Sequence, residues 1–198
     1  MARSRLFRLA TAVLVTLMVS GCYAAKLKIG ESGPQWSGIP GIDDKQHSLA
    51  DCKDAKLIVL AFTCNHCPVA RAYEGRLVAL QKDYQDKGVQ VVAVNVNTGE
   101  ADRLEAMKKR AADAKFNFPY LYDETQKIGK DYGAAVTPHI FVLDAGRKIA
   151  YMGAIDDKQA EDQVKNHYLR DALDALLAGK SPPKAVTQQF GCGIQYNK

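Results

Sequence analysis

The stretch "AFTCNHCPVARAYEGRL" sets two thiols, Cys64 and Cys67, two residues apart where a wholly apolar run gives way to an amphipathic pattern. A thiol attacks a disulfide only as the thiolate, and a cysteine at a helix start meets unpaired backbone N–H groups and the positive end of the helix dipole. The spacing therefore predicts a lowered pKa at an exposed, attacking Cys64. Cys67, one turn on and more buried, is expected to close a disulfide with Cys64 and release what it has captured. His66 lies between them, either as a donor to the Cys64 thiolate or as a solvated loop histidine. A structural zinc site is the competing use of this spacing, but it needs two further ligands, and the chain holds no second Cys-x-x-Cys and no His-x-x-x-His. No cofactor is called for.

These residues need a scaffold, and the apolar pattern supplies one. "KLIVLAF" (56–62) is a continuous apolar run of strand length, the pattern of a strand covered on both faces. Val69, Tyr73, Leu77, Leu80 and Tyr84 then recur every three or four residues, predicting a helix from about 65 to 87 that ends near Gly88, with Pro68 in its first turn. "VQVVAVNV" (89–96) reads as a second buried strand, and a second helix with acids in its first turn follows from 98 to 116. A short extended piece and a short helix come next, then two strands, "HIFVLD" and "KIAYMG", joined by the turn "DAGR". A last helix presents Val164, Tyr168, Ala172, Leu173 and Leu176 on one face and stops at Gly179. Residues 23–54 read as turns and a hairpin, and residues 181–198 show no periodicity. A β-α-β unit feeding a β-β-α unit, with Cys-x-x-Cys closing the first strand, is the order of a thioredoxin fold. The expected class is therefore α/β, with a central mixed sheet, helices on both faces and an N-terminal extension.

The first residues run from Arg3, Arg5 and Arg8 through an apolar segment to "VSGC". That layout is an export signal, and it resembles a bacterial lipoprotein signal over residues 1–21 with Cys22 as the lipidated first residue of a single domain, 22–198. Without residues 1–21 the chain carries 24 basic and 22 acidic residues, a net charge of +2. This argues against a nucleic-acid partner. Export to an oxidising compartment makes every cysteine a redox candidate.

The segments "FTCNHCPVARAYEGRLVALQKDYQDKGVQVVAVNVN", "FPYLYDETQKIGKDYGAAVTPHIFVLD" and "FGCGIQY" resemble the peroxiredoxin-like branch of the thioredoxin-like redoxins, the alkyl hydroperoxide reductase and thiol-specific antioxidant group, over roughly residues 28–198. The resemblance implies a redox cysteine at Cys64 and a cis proline at Pro138, facing the cysteine pair. It is incomplete in two directions. The attacking cysteine of true peroxiredoxins aligns with Cys67, and Leu60 and Cys64 stand where that group carries a proline and a threonine or serine. Relative to thioredoxin, Thr63 replaces a tryptophan, Asn65-His66 replaces Gly-Pro, and "KLIVLAF" lacks the buried acid, leaving proton transfer unassigned. Cys52 is expected to be an apolar filler. Cys192 has three open roles: burial against the core, pairing with Cys52, or service as an additional resolving thiol.

The reading that follows is a membrane-anchored thiol–disulfide oxidoreductase at the periplasmic face, exchanging dithiols and disulfides of exported proteins with an unknown thiol electron donor. The first alternative is a thiol peroxidase acting on hydroperoxides. The second is a copper-binding protein resembling the Sco-type metallochaperones, with Cys64, Cys67 and His139 as ligands.

Overall fold

The computed structural model describes residues 27–197; the expected signal and the lipidation site at Cys22 lie outside them. Two short strands, β1 (Ile39–Pro40) and β2 (Gln46–His47), form the expected hairpin. The chain continues through β3 (Leu57–Phe62), α1 (Pro68–Ala72), α2 (Glu74–Tyr84), β4 (Val89–Asn95), α3 (Leu104–Asp113), β5 (Tyr120–Tyr122) and α4 (Lys127–Tyr132). It ends with β6 (Val136–Thr137), β7 (His139–Leu143), β8 (Ile149–Gly153), α5 (Tyr168–Leu177) and β9 (Cys192–Gly193).

The main sheet has the order β5-β4-β3-β7-β8. β3 is central, parallel to β4 and antiparallel to β7, so both of its edges are paired and both of its faces are covered. Its side chains alternate as a strand requires. Leu57, Val59 and Ala61 pack with residues of α2, α3 and α5, whereas Ile58, Leu60 and Phe62 pack with Trp36, Leu49 and residues of α4. Every residue of β3 is at most 4% exposed, which explains an unbroken apolar run where a half-buried strand would alternate. Each of its larger side chains contributes about 1.5–3 kcal/mol by leaving water.

The helix expected over 65–87 is later and broken. Proline disfavours helical geometry at the residue before it, so Cys67 is extended (φ −77°, ψ 119°) and the helix begins at Pro68. It breaks at Tyr73 (φ −98°, ψ −6°), whose hydroxyl donates to Asp156 at 3.0 Å, and α2 then runs to Tyr84. A short 3-10 turn leads to Gly88, whose left-handed φ of 89° ends the element as expected. Val164 lies before α5 rather than on it, and the buried face of that helix is Leu169, Ala172 and Leu173.

The aperiodic tail is ordered by specific contacts. Met152 N–H donates to Ala185 O and Thr187 N–H to Met152 O, both at 3.0 Å, tying the tail to β8. Further on, β9 pairs antiparallel with β6, Val136 opposite Gly193 and Thr137 opposite Cys192. Tyr196 then donates its hydroxyl to Ala134 O at 2.7 Å.

Candidate active site

β3 ends at Phe62, and Thr63 N–H still bonds Val94 O at 3.0 Å, so Cys64 leaves the sheet from a fixed point. From the other side the chain turns at a cis Thr137–Pro138 bond, as expected for Pro138. Thr137 thereby touches both sulfurs of the motif: its hydroxyl shares a 3.0 Å hydrogen bond with Cys64 Sγ, and its carbonyl lies 3.4 Å from Cys67 Sγ.

The disulfide is not the expected one. Cys67 is bonded to Cys192, 125 residues away with the two Cα atoms 5.9 Å apart, while Cys64 is a free thiol. The physical reason lies in the pairing of β6 with β9, which lays Cys192 opposite Thr137 and against the Cys64–Cys67 cluster. This pairing also removes the suggested Cys52–Cys192 bond. Cys52 is a free, partly buried thiol packed against the core, consistent with a filler.

Cys64 also departs from expectation in exposure and charge. It is 1% exposed, and burial pushes its pKa up. The Thr137 hydroxyl and the N–H groups of Cys67 and His66 pull it down and the Asp102 charge adds to the rise, but burial is the largest effect. Helix-start stabilisation falls on the other sulfur, because Cys67 caps α1 and accepts from Ala70 N–H at 3.4 Å.

Asp102 is the residue that sequence reading passed over. It was legible only as an acid in the first turn of a helix, yet it is 2% exposed and organises the cysteine loop. Its carboxylate accepts from Asn65 N–H at 2.7 Å, from His66 Nδ1 at 2.5 Å and from Asn95 Nδ2 at 3.1 Å. Asn65 in turn donates to Ala101 O and accepts from the buried Tyr120 hydroxyl at 3.1 Å. Burial first, then the neighbouring Cys64 and Asp102 charges, holds that phenol protonated well above its usual range. His66 is thus neither a partner of the Cys64 sulfur nor a free loop histidine; Cys64 bonds Thr137, and His66 bonds Asp102.

The sequence profile of the AhpC/TSA family matches residues 29–152, well over half of the chain. The chain belongs to the AhpC/TSA family. This redoxin is similar to an uncharacterized conserved protein from Geobacillus kaustophilus, at 37% identity and a TM-score of 0.79 over 86% of this chain and 93% of that one. It is also similar to a hypothetical protein from Sinorhizobium meliloti, at 30% identity and a TM-score of 0.81 over 87% and 97%. A third relative is the thiol:disulfide interchange protein HelX of Rhodobacter capsulatus, 27% identical over 133 residues; the redoxin spans 66% of its length.

Ligand atoms of Cys64, His66 and Asp102 lie within 4.8 Å of one another, the one such trio among the described residues. The trio sets an exposed imidazole, hydrogen-bonded to a buried carboxylate, near a buried thiol. The copper set of Cys64, Cys67 and His139 is not assembled. Cys67 is spent in the cystine, and His139 is 5% exposed with its ring 4.5 Å from that of Phe141.

Proposed function

We propose that the protein is a thiol–disulfide oxidoreductase of the bacterial envelope, with residues 1–21 as its signal, Cys22 lipidated and residues 22–198 as the catalytic domain. The observation carrying this reading is a cystine, Cys67–Cys192, with a third thiol, Cys64, packed against it at the cis Thr137–Pro138 turn. The name of the HelX relative, a thiol:disulfide interchange protein, supports it. Cys64 and Cys67 are the exchanging pair, and His66 with Asp102 takes the proton that Cys64 must lose to attack. The substrates are dithiols or disulfides of exported proteins, with a thiol electron donor. The test is catalysed reduction of insulin by dithiothreitol: wild type should accelerate it, and Cys67→Ser should not. Equal rates for the two would end the reading. Anchoring is tested separately, since Cys22→Ala should move the protein from the membrane to the soluble fraction.

A second reading has its own observation. Cys67 caps α1 and is joined to a distant cysteine, the product expected if Cys67 reduced a hydroperoxide to an alcohol, became a sulfenic acid and was condensed by Cys192 with loss of water. Cys64 in place of a hydroxyl residue three positions before Cys67 argues against it. Hydroperoxide treatment of Cys192→Ser should leave no sulfenic acid on Cys67; a stoichiometric yield there would move the peroxidase reading to first place.

A further inference from the structure

We infer that Cys192 is a third redox-active cysteine and that β9 is a latch: the disulfide moves from Cys67–Cys192 to Cys64–Cys67, and the tail lifts from β6 as it does. The inference rests on the oxidoreductase reading and goes beyond it. With the latch closed, neither exchanging sulfur meets solvent, since Cys64 is 1% and Cys67 0% exposed. A protein disulfide cannot reach them in this state. The partly exposed sulfur-bearing residue of the cluster is Cys192.

The exchange is short-range. Cys64 and Cys67 are two residues apart and both sulfurs touch Thr137, so Cys64 attacks Sγ of Cys67 without moving the sheet. The Cys64–Cys67 bond forms as the Cys67–Cys192 bond breaks, and the bonding pair leaves on the Cys192 sulfur. The Cys64 proton passes by way of His66 to solvent, and Cys192 takes one up. The step is an isomerisation that consumes no oxidant.

The tail is built to release locally. Upstream it is tied to β8 through Ala185 and Thr187, and downstream Tyr196 bonds Ala134 O and Asn197 N–H bonds Gln126 Oε1 at 2.7 Å. Between these ties, residues 188–193 are held by the disulfide, by two paired positions, by a close approach at Gly191 and by Phe190, which packs on the core with its ring 6.1 Å from that of Tyr73 and must leave that contact for the segment to lift. A Cβ on Gly191 would lie 2.1 Å from Thr137 O, so only glycine lets the tail close over the turn. Lifting this segment frees the backbone of Val136 and Thr137, beside both sulfurs, for an extended peptide to pair.

The experiment is acid-quenched disulfide mapping of the oxidised full-length protein, with peptides assigned by mass after alkylation. Wild type should contain both Cys67–Cys192 and Cys64–Cys67 forms in a ratio that stays fixed when the ratio of oxidised to reduced glutathione is varied. Gly191→Ala should raise the Cys64–Cys67 share by roughly tenfold, the shift given by about 1.4 kcal/mol of lost latch closure. Should Gly191→Ala misfold, Cys192→Ser keeps the question open: it should oxidise cleanly to Cys64–Cys67. Finding only Cys67–Cys192 in wild type, and no Cys64–Cys67 bond in Cys192→Ser, overturns the latch. The insulin assay is scored independently, so loss of the latch with insulin turnover intact is distinguishable from failure of the oxidoreductase reading.

Discussion

Cys64 is a buried thiol whose proton is held by its surroundings, and the Thr137 hydroxyl and the Asp102 charge act on it in opposite senses. In the oxidised protein, with Cys22 and Cys52 changed to alanine, the ultraviolet absorbance of its thiolate should titrate above the ordinary cysteine value of about 8.5. Thr137→Val removes the hydroxyl that favours the thiolate and should move the midpoint higher still. Asp102→Asn removes a negative neighbour and should move it lower; the amide oxygen still accepts from Asn65 and Asn95 at the Oδ1 position, and the bond lost is the one from His66 to Oδ2, a change of about 1–3 kcal/mol because that bond is to a charged group. The linkage has a definite sign. A thiol with a raised folded pKa binds its proton more tightly in the folded than in the unfolded chain, so its contribution is intact below about pH 8.5 and is lost as pH rises through the folded value. Urea midpoints of the Cys22/Cys52-substituted protein taken from pH 7 to 10 should fall less when Cys64 is also changed to alanine.

At the scale of elements, the chain revealed in sequence whatever local pattern controls. The apolar run 56–62 could only be a strand covered on both faces, and Leu60, fully buried at its centre, should cost about 2–5 kcal/mol when changed to alanine, read as a lowered urea midpoint. Cys64 and Cys67 were legible as a pair at a strand end, a local feature, whereas Pro138 came from the family resemblance; the structure sets the cis Thr137–Pro138 turn beside both sulfurs. Pro68 lies in the first turn as expected, but the helix starts there and not near 65 because the proline holds the preceding Cys67 extended, and this decides which sulfur caps the helix. Asp102 and the Cys67–Cys192 bond were hidden because each depends on contacts between segments far apart in sequence. An acid in a first turn looks the same whether it faces water or bonds a loop 37 residues earlier. A cysteine in an aperiodic tail carries no signal of the β6–β9 pairing that delivers it to Cys67.

For the whole molecule, the Cys67–Cys192 bond ties the C-terminal tail to the start of α1 and closes a loop of 125 residues. Loops of that size give about 2–4 kcal/mol by restricting the unfolded chain, so Cys192→Ser should be less stable in urea, and dithiothreitol should lower wild type more than the variant, whose Cys64–Cys67 bond closes only a short loop. In the proposed function the same bond takes part in the exchange, which would couple stability and activity through one redox state. The central claim, that this AhpC/TSA protein exchanges disulfides through its clustered cysteines, is tested most directly by the initial rate of insulin reduction under dithiothreitol. The account predicts a rate for wild type well above that of an equal concentration of free cysteine, a loss to that background in Cys67→Ser and a loss of comparable size in Cys64→Ser. Background activity for wild type, or undiminished activity in both variants, would contradict it.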